Sequence, residues 1–370
     1  MQKRIDSIYF LRLFAMLLVV LVHATGTYYS TLPMDGEAFA KYHFFNRFIR
    51  IEAGIFIMLT ALVFFYNFSN KNLSVSLFID YLKKRVLYIL VPYIVWAVFY
   101  EFYARLTIHR ELSIMDILSR ILQGDSYYQL HFIFLIVQFY LVFPIFITLA
   151  KKLSFFRKYM WLIGIIVEIL YYYLNDKYDL VSFNLFLNML GPYFMGAWIG
   201  MHYQAIKSNI HKRLPTILFG IVFVVAGSAL ALLHYYVYTV QSFYLKGIYY
   251  KLIETTFLVG GSYFFFRVAE LLLKISSASV MNITRNIALY SFGFYLLHPF
   301  VLKEVARFIP VHNNYLFHIE VLGRYVFTVI FCYFIIYFIH RFFPFAGLLF
   351  GKLPKKAARL PLLNQRKSAS

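Results

Sequence analysis

The stretch LRLFAMLLVVLVHATG, Leu11 to Gly26, is almost wholly apolar, yet it holds Arg12 and His23. Its unbroken apolar run is long enough to span a bilayer as a helix. A helix turns about 100° and rises about 1.5 Å per residue, so eleven residues return His23 to within about 20° of Arg12, roughly 16 Å further along. The two residues share one face three turns apart. They do not touch, but they stand at two depths of one polar stripe.

The rest of the chain agrees with this reading. Of its 370 residues 62% are hydrophobic, 21% aromatic and only 14% charged, and the mean hydropathy is +0.69. Such a composition excludes a soluble domain of this size and marks an all-α, polytopic membrane protein. The first segment is long enough to span and no small-residue cleavage site follows it, so a cleavable signal is not expected. The single cysteine, Cys332, excludes a disulfide framework and a Cys-based metal site, and no metal is expected. The net charge of +20 reads as Lys and Arg in cytoplasmic loops rather than as nucleic-acid affinity.

Hydropathy places about ten crossings, at roughly 8–28, 49–68, 86–104, 130–149, 159–174, 184–203, 215–236, 252–270, 287–305 and 321–343. With the N-terminus inside, the inner segments collect Lys3, Arg4, Lys71, Lys83 to Arg85, Lys151, Lys152 and a basic tail, while the outer segments hold fewer cations. Both termini are therefore expected in the cytoplasm. Tyrosines at segment ends, as at Tyr171 to Tyr173, suit interfacial belts. Residues 1–350 read as one transmembrane domain and 351–370 as a basic cytoplasmic tail lying on the anionic inner leaflet. The expected location is the plasma membrane. Internal repeats and matched pairs of broken helices are missing, which weakens a secondary-transporter reading.

Few polar residues interrupt the apolar segments, so each is a site candidate. Arg12 either snorkels to the inner interface or serves a polar path with His23. His298, in YSFGFYLLHPF, has Tyr295 at i−3 on the same face. Pro299 removes a backbone donor, so His298 either satisfies freed carbonyls or joins a site. Lys83, Lys84 and Arg85 stand at the inner mouth of the third segment, as phosphate contacts or as an ordinary positive-inside cluster. Glu52, Glu101, Glu168 and Glu254 are the acids available to orient His23, and sequence does not choose among them. The stretch GDSYYQLHFIFLIVQFY, with Asp125, His131 and Gln138, carries a polar and aromatic mixture to the outer entrance of the fourth segment. It suits either a sugar surface or an interfacial belt. No G-x-S-x-G elbow, H-E-x-x-H or Walker loop occurs, so a covalent serine hydrolase, a zinc protease and an ATP-driven pump lose support. A histidine with a cationic partner and no evident nucleophile points to direct transfer of an activated group.

Arg12, ten intervening residues and His23 resemble the first-helix pattern of the membrane acyltransferase-3 family. GIFIMLTALVF resembles its second helix, YLKKRVLYILVPY its basic stretch before a third helix carrying proline, and YSFGFYLLHPFVL its late Leu-His-Pro helix. QFYLVFPIF and FYLLHP are most similar to the intercellular-adhesion (IcaC-like) branch. Lys-Lys-Arg and His131-Phe132 stand where many relatives have an Arg-rich pair and Trp-Phe.

The resemblance implies an integral membrane O-acyltransferase. It would move an acetyl or succinyl group from cytoplasmic acyl-CoA, a co-substrate rather than a bound cofactor, to a hydroxyl of a surface polysaccharide. His23 would be the acid/base residue and Arg12 its partner on the acyl-CoA path. Lys83, Lys84 and Arg85 would meet coenzyme phosphate, and His298 and Tyr295 would join the substrate site. Implied partners are acyl-CoA, the polysaccharide acceptor, the bilayer and polysaccharide-synthesis machinery, with no nucleic acid. The alternative is a carrier or flippase for a glycan or lipid-linked saccharide, in which the same residues line a path without bond breaking.

Overall fold

A computed structural model describes residues 4–29, 31–110, 113–310, 312 and 314–354. The basic run from Lys355 onward lies outside the described residues. Among them every regular element is helical: α1 (Ile8–Tyr29), α2 (Glu37–Phe48), α3 (Glu52–Phe68), α4 (Val75–Arg85), α5 (Val91–Ile108), α6 (Ile114–Gln123), α7 (Leu130–Lys152), α8 (Ser154–Tyr178), α9 (Leu190–Met201), α10 (Tyr203–Ser208), α11 (Arg213–His234), α12 (Gly247–Ile275), α13 (Ala278–Ala288), α14 (Ser291–Phe308), α15 (Phe317–Phe342) and α16 (Ala346–Phe350). A π turn at Val86–Leu90 joins α4 to α5 just before Pro92. Proline has no N–H to return to the preceding turn, and the wider turn accommodates that loss.

Among the described residues seven helical stretches are long and apolar enough to cross a membrane, and the protein is a multi-pass membrane protein. The other three expected crossings are present as helices but fall outside that set. The segment expected over 184–203 is a 3-10 turn followed by α9, which is only 12 residues long. Most of α9 is buried inside the bundle, and it is shorter than the roughly 20 residues of an ordinary span. α14 carries Lys303, Glu304 and Arg307 within 18 residues. α8 carries Glu168 and the run Tyr171 to Tyr173.

The centre of the bundle is α3 against α9, and glycines set their distance. A Cβ on Gly196 would stand 2.0 Å from the Met58 carbonyl oxygen, and one on Gly200 would stand 2.6 Å from that of Leu62. The two glycines are four apart in GAWIG, the small-xxx-small spacing by which helices in membranes approach backbone to backbone. Around this contact, α1 buries Leu11, Ala15 and Val22. α12 and α14 add Phe257, Phe266, Phe294 and Leu296, all fully buried. The outer surface is apolar, with Leu141, Ile145, Ile166, Ile217, Val225 and Phe331 exposed, as lipid contact demands.

Gly196→Ala and Gly200→Ala should each destabilise the protein by at least about 1–3 kcal/mol, because the added methyl meets backbone that cannot rotate away. Gly347→Ala, where nothing lies within 4 Å, should be neutral; equal thermal midpoints for all three in one detergent would refute the contact. For topology, reporter fusions after Asn70, Leu153 and Ser208 should read cytoplasmic, and fusions near Asp35 and Asp179 should read external. An external signal from the C-terminal tail would overturn the orientation.

Candidate functional site

The last turns of α1 carry His23 to the wall of a cavity of about 240 Å³. Its lining includes Arg47, Arg50, Glu52, Tyr128, Gln129 and Tyr295. Beside α1, and α12 with Tyr250 and Glu254, three further parts of the chain bring polar groups to it. The α2–α3 junction brings Arg50 and Glu52, the segment between α6 and α7 brings Tyr128 and Gln129, and α14 brings Tyr295.

A buried amide locks the first of these to α1. Asn46 is fully buried, and its Nδ2 donates to the Val22 carbonyl at 2.7 Å and to Thr25 Oγ1 at 2.8 Å. Its Oδ1 accepts from Arg50 Nε and Nη2, each at 3.2 Å. The side chain that orients the Arg50 guanidinium thus also holds the turn of α1 that carries His23. A cation is costly at membrane depth unless it is oriented and hydrogen-bonded.

The second part is held just as firmly. Arg110 Nη1 donates to the Ser126 carbonyl at 2.8 Å, and Tyr127 stacks on Tyr100 with ring centres 4.4 Å apart. Tyr93 donates its hydroxyl to the Ile121 carbonyl. Tyr128 is left with its ring 4.7 Å from that of His23 and 46% exposed, at the mouth of the cavity. His131, on the cavity wall, donates from Nδ1 to the Tyr128 carbonyl at 2.5 Å.

His298 packs behind His23, ring centre to ring centre 5.2 Å. Its Nδ1 lies 3.0 Å from the Phe294 carbonyl. A carbonyl only accepts, so Nδ1 carries the proton and Nε2 keeps a lone pair in the neutral ring. That Nε2 is buried and has no hydrogen-bond partner. Tyr295 lies 6.1 Å from His298 and donates its hydroxyl to the Gln129 carbonyl. His23, from the first helix, therefore joins Tyr295 and His298, three residues apart on α14, in one constellation.

The four acids separate clearly. Glu101 is held by Arg120 through two bonds of 2.9 and 2.8 Å. Glu168 is held by Lys251 at 2.9 Å, Thr255 Oγ1 at 2.7 Å and the Gly191 N–H at 2.7 Å. Glu254 lines the cavity and pairs with Lys251 at 2.9 Å. Glu52 lines the cavity with its Oε2 buried and without a hydrogen-bond partner. Glu52 and Glu254 are thus the two acids that share a wall with His23.

Arg12, Lys83, Lys84 and Arg85 lie elsewhere. Arg12 is half-buried on α1, and Tyr140 is within electrostatic reach of both Arg12 and Arg85. Lys83 and Lys84 are exposed. Arg85 turns inward, its guanidinium 4.5 Å above Phe64 and 5.1 Å above Tyr81. The basic run is therefore two surface ammoniums and one aromatic-caged guanidinium, not a single patch. Gln138 is a staple: its Nε2 donates to the Asn184 carbonyl and its Oε1 accepts the Phe186 N–H, both at 2.9 Å. Asp125 is exposed. Sequence reading passed over Asn46, Arg47, Arg50 and Gln129. Arg47 and Arg50 occur three apart just before an apolar helix, the one signal that was available.

A family model described as an acyltransferase domain matches residues 5–340. The chain is 23% identical over 333 residues to the probable poly-β-1,6-N-acetyl-D-glucosamine export protein of Staphylococcus epidermidis, covering 85% of this chain and 86% of the relative. It is 21% identical over 323 residues to the protein of the same name from Staphylococcus aureus strain MSSA476, covering 84% and 86%. No solved structure matches significantly.

Lys251 is the cation on which two carboxylates depend. Lys251→Met should cost about 3–5 kcal/mol by stranding Glu168 in the core. Adding Glu168→Gln should recover part of that loss. Thermal midpoints of the single and double variants measure this, and a double variant as unstable as the sum of its singles would refute the pairing.

Proposed function

The chain belongs to the acyltransferase-domain family, and from that premise we propose that it moves an acetyl or succinyl group from cytoplasmic acyl-CoA to a hydroxyl of an extracellular polysaccharide. The names of its relatives suggest a polymer of N-acetylglucosamine as the acceptor class. The observation that carries this reading is His23 on a cavity that also holds a fixed cation at Arg50, with His298 packed behind it at 5.2 Å between ring centres.

The chemistry is a single acyl transfer. His23 takes the proton of the acceptor hydroxyl as its oxygen attacks the thioester carbonyl. The C–S bond breaks, and the departing thiolate takes that proton back, leaving an ester and CoA. Proton transfer by a placed base contributes typically about 10²–10⁴-fold. Arg50, aimed by Asn46, supplies a positive charge where the carbonyl oxygen becomes negative. Arg12 and Arg85, both near Tyr140, hold the donor, with Lys83 and Lys84 meeting its phosphates at the inner face. A pantetheine arm spans the roughly 16 Å between Arg12 and His23. The names of the relatives favour a second reading, export of a glycan without chemistry. Purified protein in lipid, supplied with radiolabelled acyl-CoA and glycan, separates the two: release of CoA means transfer, and unmodified glycan crossing the bilayer means export.

His23→Ala should lower transfer by about 10²–10⁴-fold and leave the acyl-CoA Kd unchanged, because the group acts mainly in the transition state. Arg12→Ala should weaken acyl-CoA binding, with partial recovery in Arg12→Lys. Reversing Lys83, Lys84 and Arg85 to Glu should weaken it too and flatten its salt dependence. Asn46→Ala should lower turnover by about 10²-fold, the scale of a 1 Å misplacement. Parental transfer by His23→Ala would make His23 a structural residue.

A further inference from the structure

Gln129 is a buried polar side chain with nothing to bind. It is 2% exposed, and neither Nε2 nor Oε1 has a hydrogen-bond partner. It stands at the N-cap of α7, where side-chain oxygens usually accept a helix N–H, and makes no such bond. Its backbone is committed, since its carbonyl accepts the Tyr295 hydroxyl. Each unsatisfied buried donor or acceptor carries a penalty. At Gln129 a ligand in the cavity would relieve it. Gln129 lines the same cavity as His23, and beside it Glu52 Oε2 is also buried without a partner.

We infer that Gln129, with Tyr128, forms the subsite that seats the acceptor sugar ring against His23. This rests on the proposed transfer to a saccharide and adds the residues that recognise it. A carboxamide presents one acceptor and one donor side by side. Neighbouring equatorial substituents of a pyranose present the complement: an N–H or O–H at C2 donates to Oε1, and the C3 hydroxyl oxygen accepts from Nε2. Glu52 Oε2 accepts a further hydroxyl. The Tyr128 ring, 46% exposed at the mouth and resting on His23, offers an apolar face to the C–H face of the ring. The subsite therefore takes 2-acetamido and 2-hydroxy pyranoses alike and rejects a 2-deoxy sugar, which leaves Oε1 unpaired.

The test is binding to the full chain in lipid nanodiscs, read by calorimetry and independent of turnover. Probes are an N-acetylglucosamine trisaccharide, its counterpart ending in 2-deoxyglucose, and acetyl-CoA. The parent should bind the first trisaccharide at least about fivefold more tightly than the second, the lower bound for one stranded polar group. Gln129→Met, which replaces a partnerless amide by an apolar chain of similar size, should keep the thermal midpoint, lose that preference and leave acetyl-CoA affinity unchanged. Tyr128→Ala should weaken both trisaccharides, and Tyr128→Phe should not. Equal binding of the two trisaccharides by the parent overturns the inference without any variant. So does a Gln129→Met variant with parental preference, or one whose loss falls on acetyl-CoA instead. If the parent shows the preference but never releases CoA, the subsite stands and the transfer reading fails. If it releases CoA with no preference, the reverse holds.

Discussion

Two missing side chains hold this protein together. In a bilayer, water does not drive helices against one another, so association depends on close packing and on polar bonds. Gly196 and Gly200 let the α9 backbone lie directly on that of α3. The polar wall of the cavity follows from this contact. The first turn of α9 gives its Gly191 N–H to Glu168, Glu168 holds Lys251, and Lys251 holds Glu254 at the cavity. The start of α3, fixed by the same contact, presents Glu52 to the same cavity. Bulk at either glycine would part the two helices and displace both acids.

Two groups of the site are oriented by neutral hydrogen-bond partners. Asn46 is the clearest instance, joining Arg50 to the α1 turn that bears His23 through four hydrogen bonds. His298 is directed in the same way, with one ring nitrogen given to a backbone carbonyl so that the other keeps its lone pair. Such fixed dipoles stabilise a developing charge without reorganising during reaction. Partnerless buried polar atoms occur in several parts of the bundle, and three of the residues that carry them, Gln129, Glu52 and His298, are near His23: Gln129 and Glu52 line its cavity, and His298 packs behind it. Glu101 and Glu168, by contrast, are held by partners outside that cavity.

The first helix explains the division between what was legible and what was not. Apolar length alone identified a membrane-crossing α1 and its place in a bundle, because the bilayer imposes a one-dimensional rule that any window of sequence reports. The periodicity of α1 put Arg12 and His23 on one face, and the structure carries only His23 to the cavity. α9 is where the same rule says least: its 12 residues are short for a span, and the bundle buries most of them. The GAWIG spacing was present to be read, but a glycine pair does not name its partner helix.

By itself the sequence determined the class of protein, the helical segments, the family, and the identity of His23, His298 and Tyr295 as the polar residues an apolar environment would not tolerate idly. Only the tertiary structure decided which of them meet. His23 and His298 are brought together by the packing of α1 against α14. Glu52 and Glu254 line the cavity, whereas Glu101 and Glu168 are engaged away from it by Arg120 and Lys251 on other helices. Arg85 leaves Lys83 and Lys84 because aromatic rings from α3, α4 and α7 converge on it. The physical reason is the same in each case. Burial and apolar length are properties of a segment and are written locally, whereas a hydrogen bond or ion pair is a property of two segments, and its geometry exists only once the helices have packed.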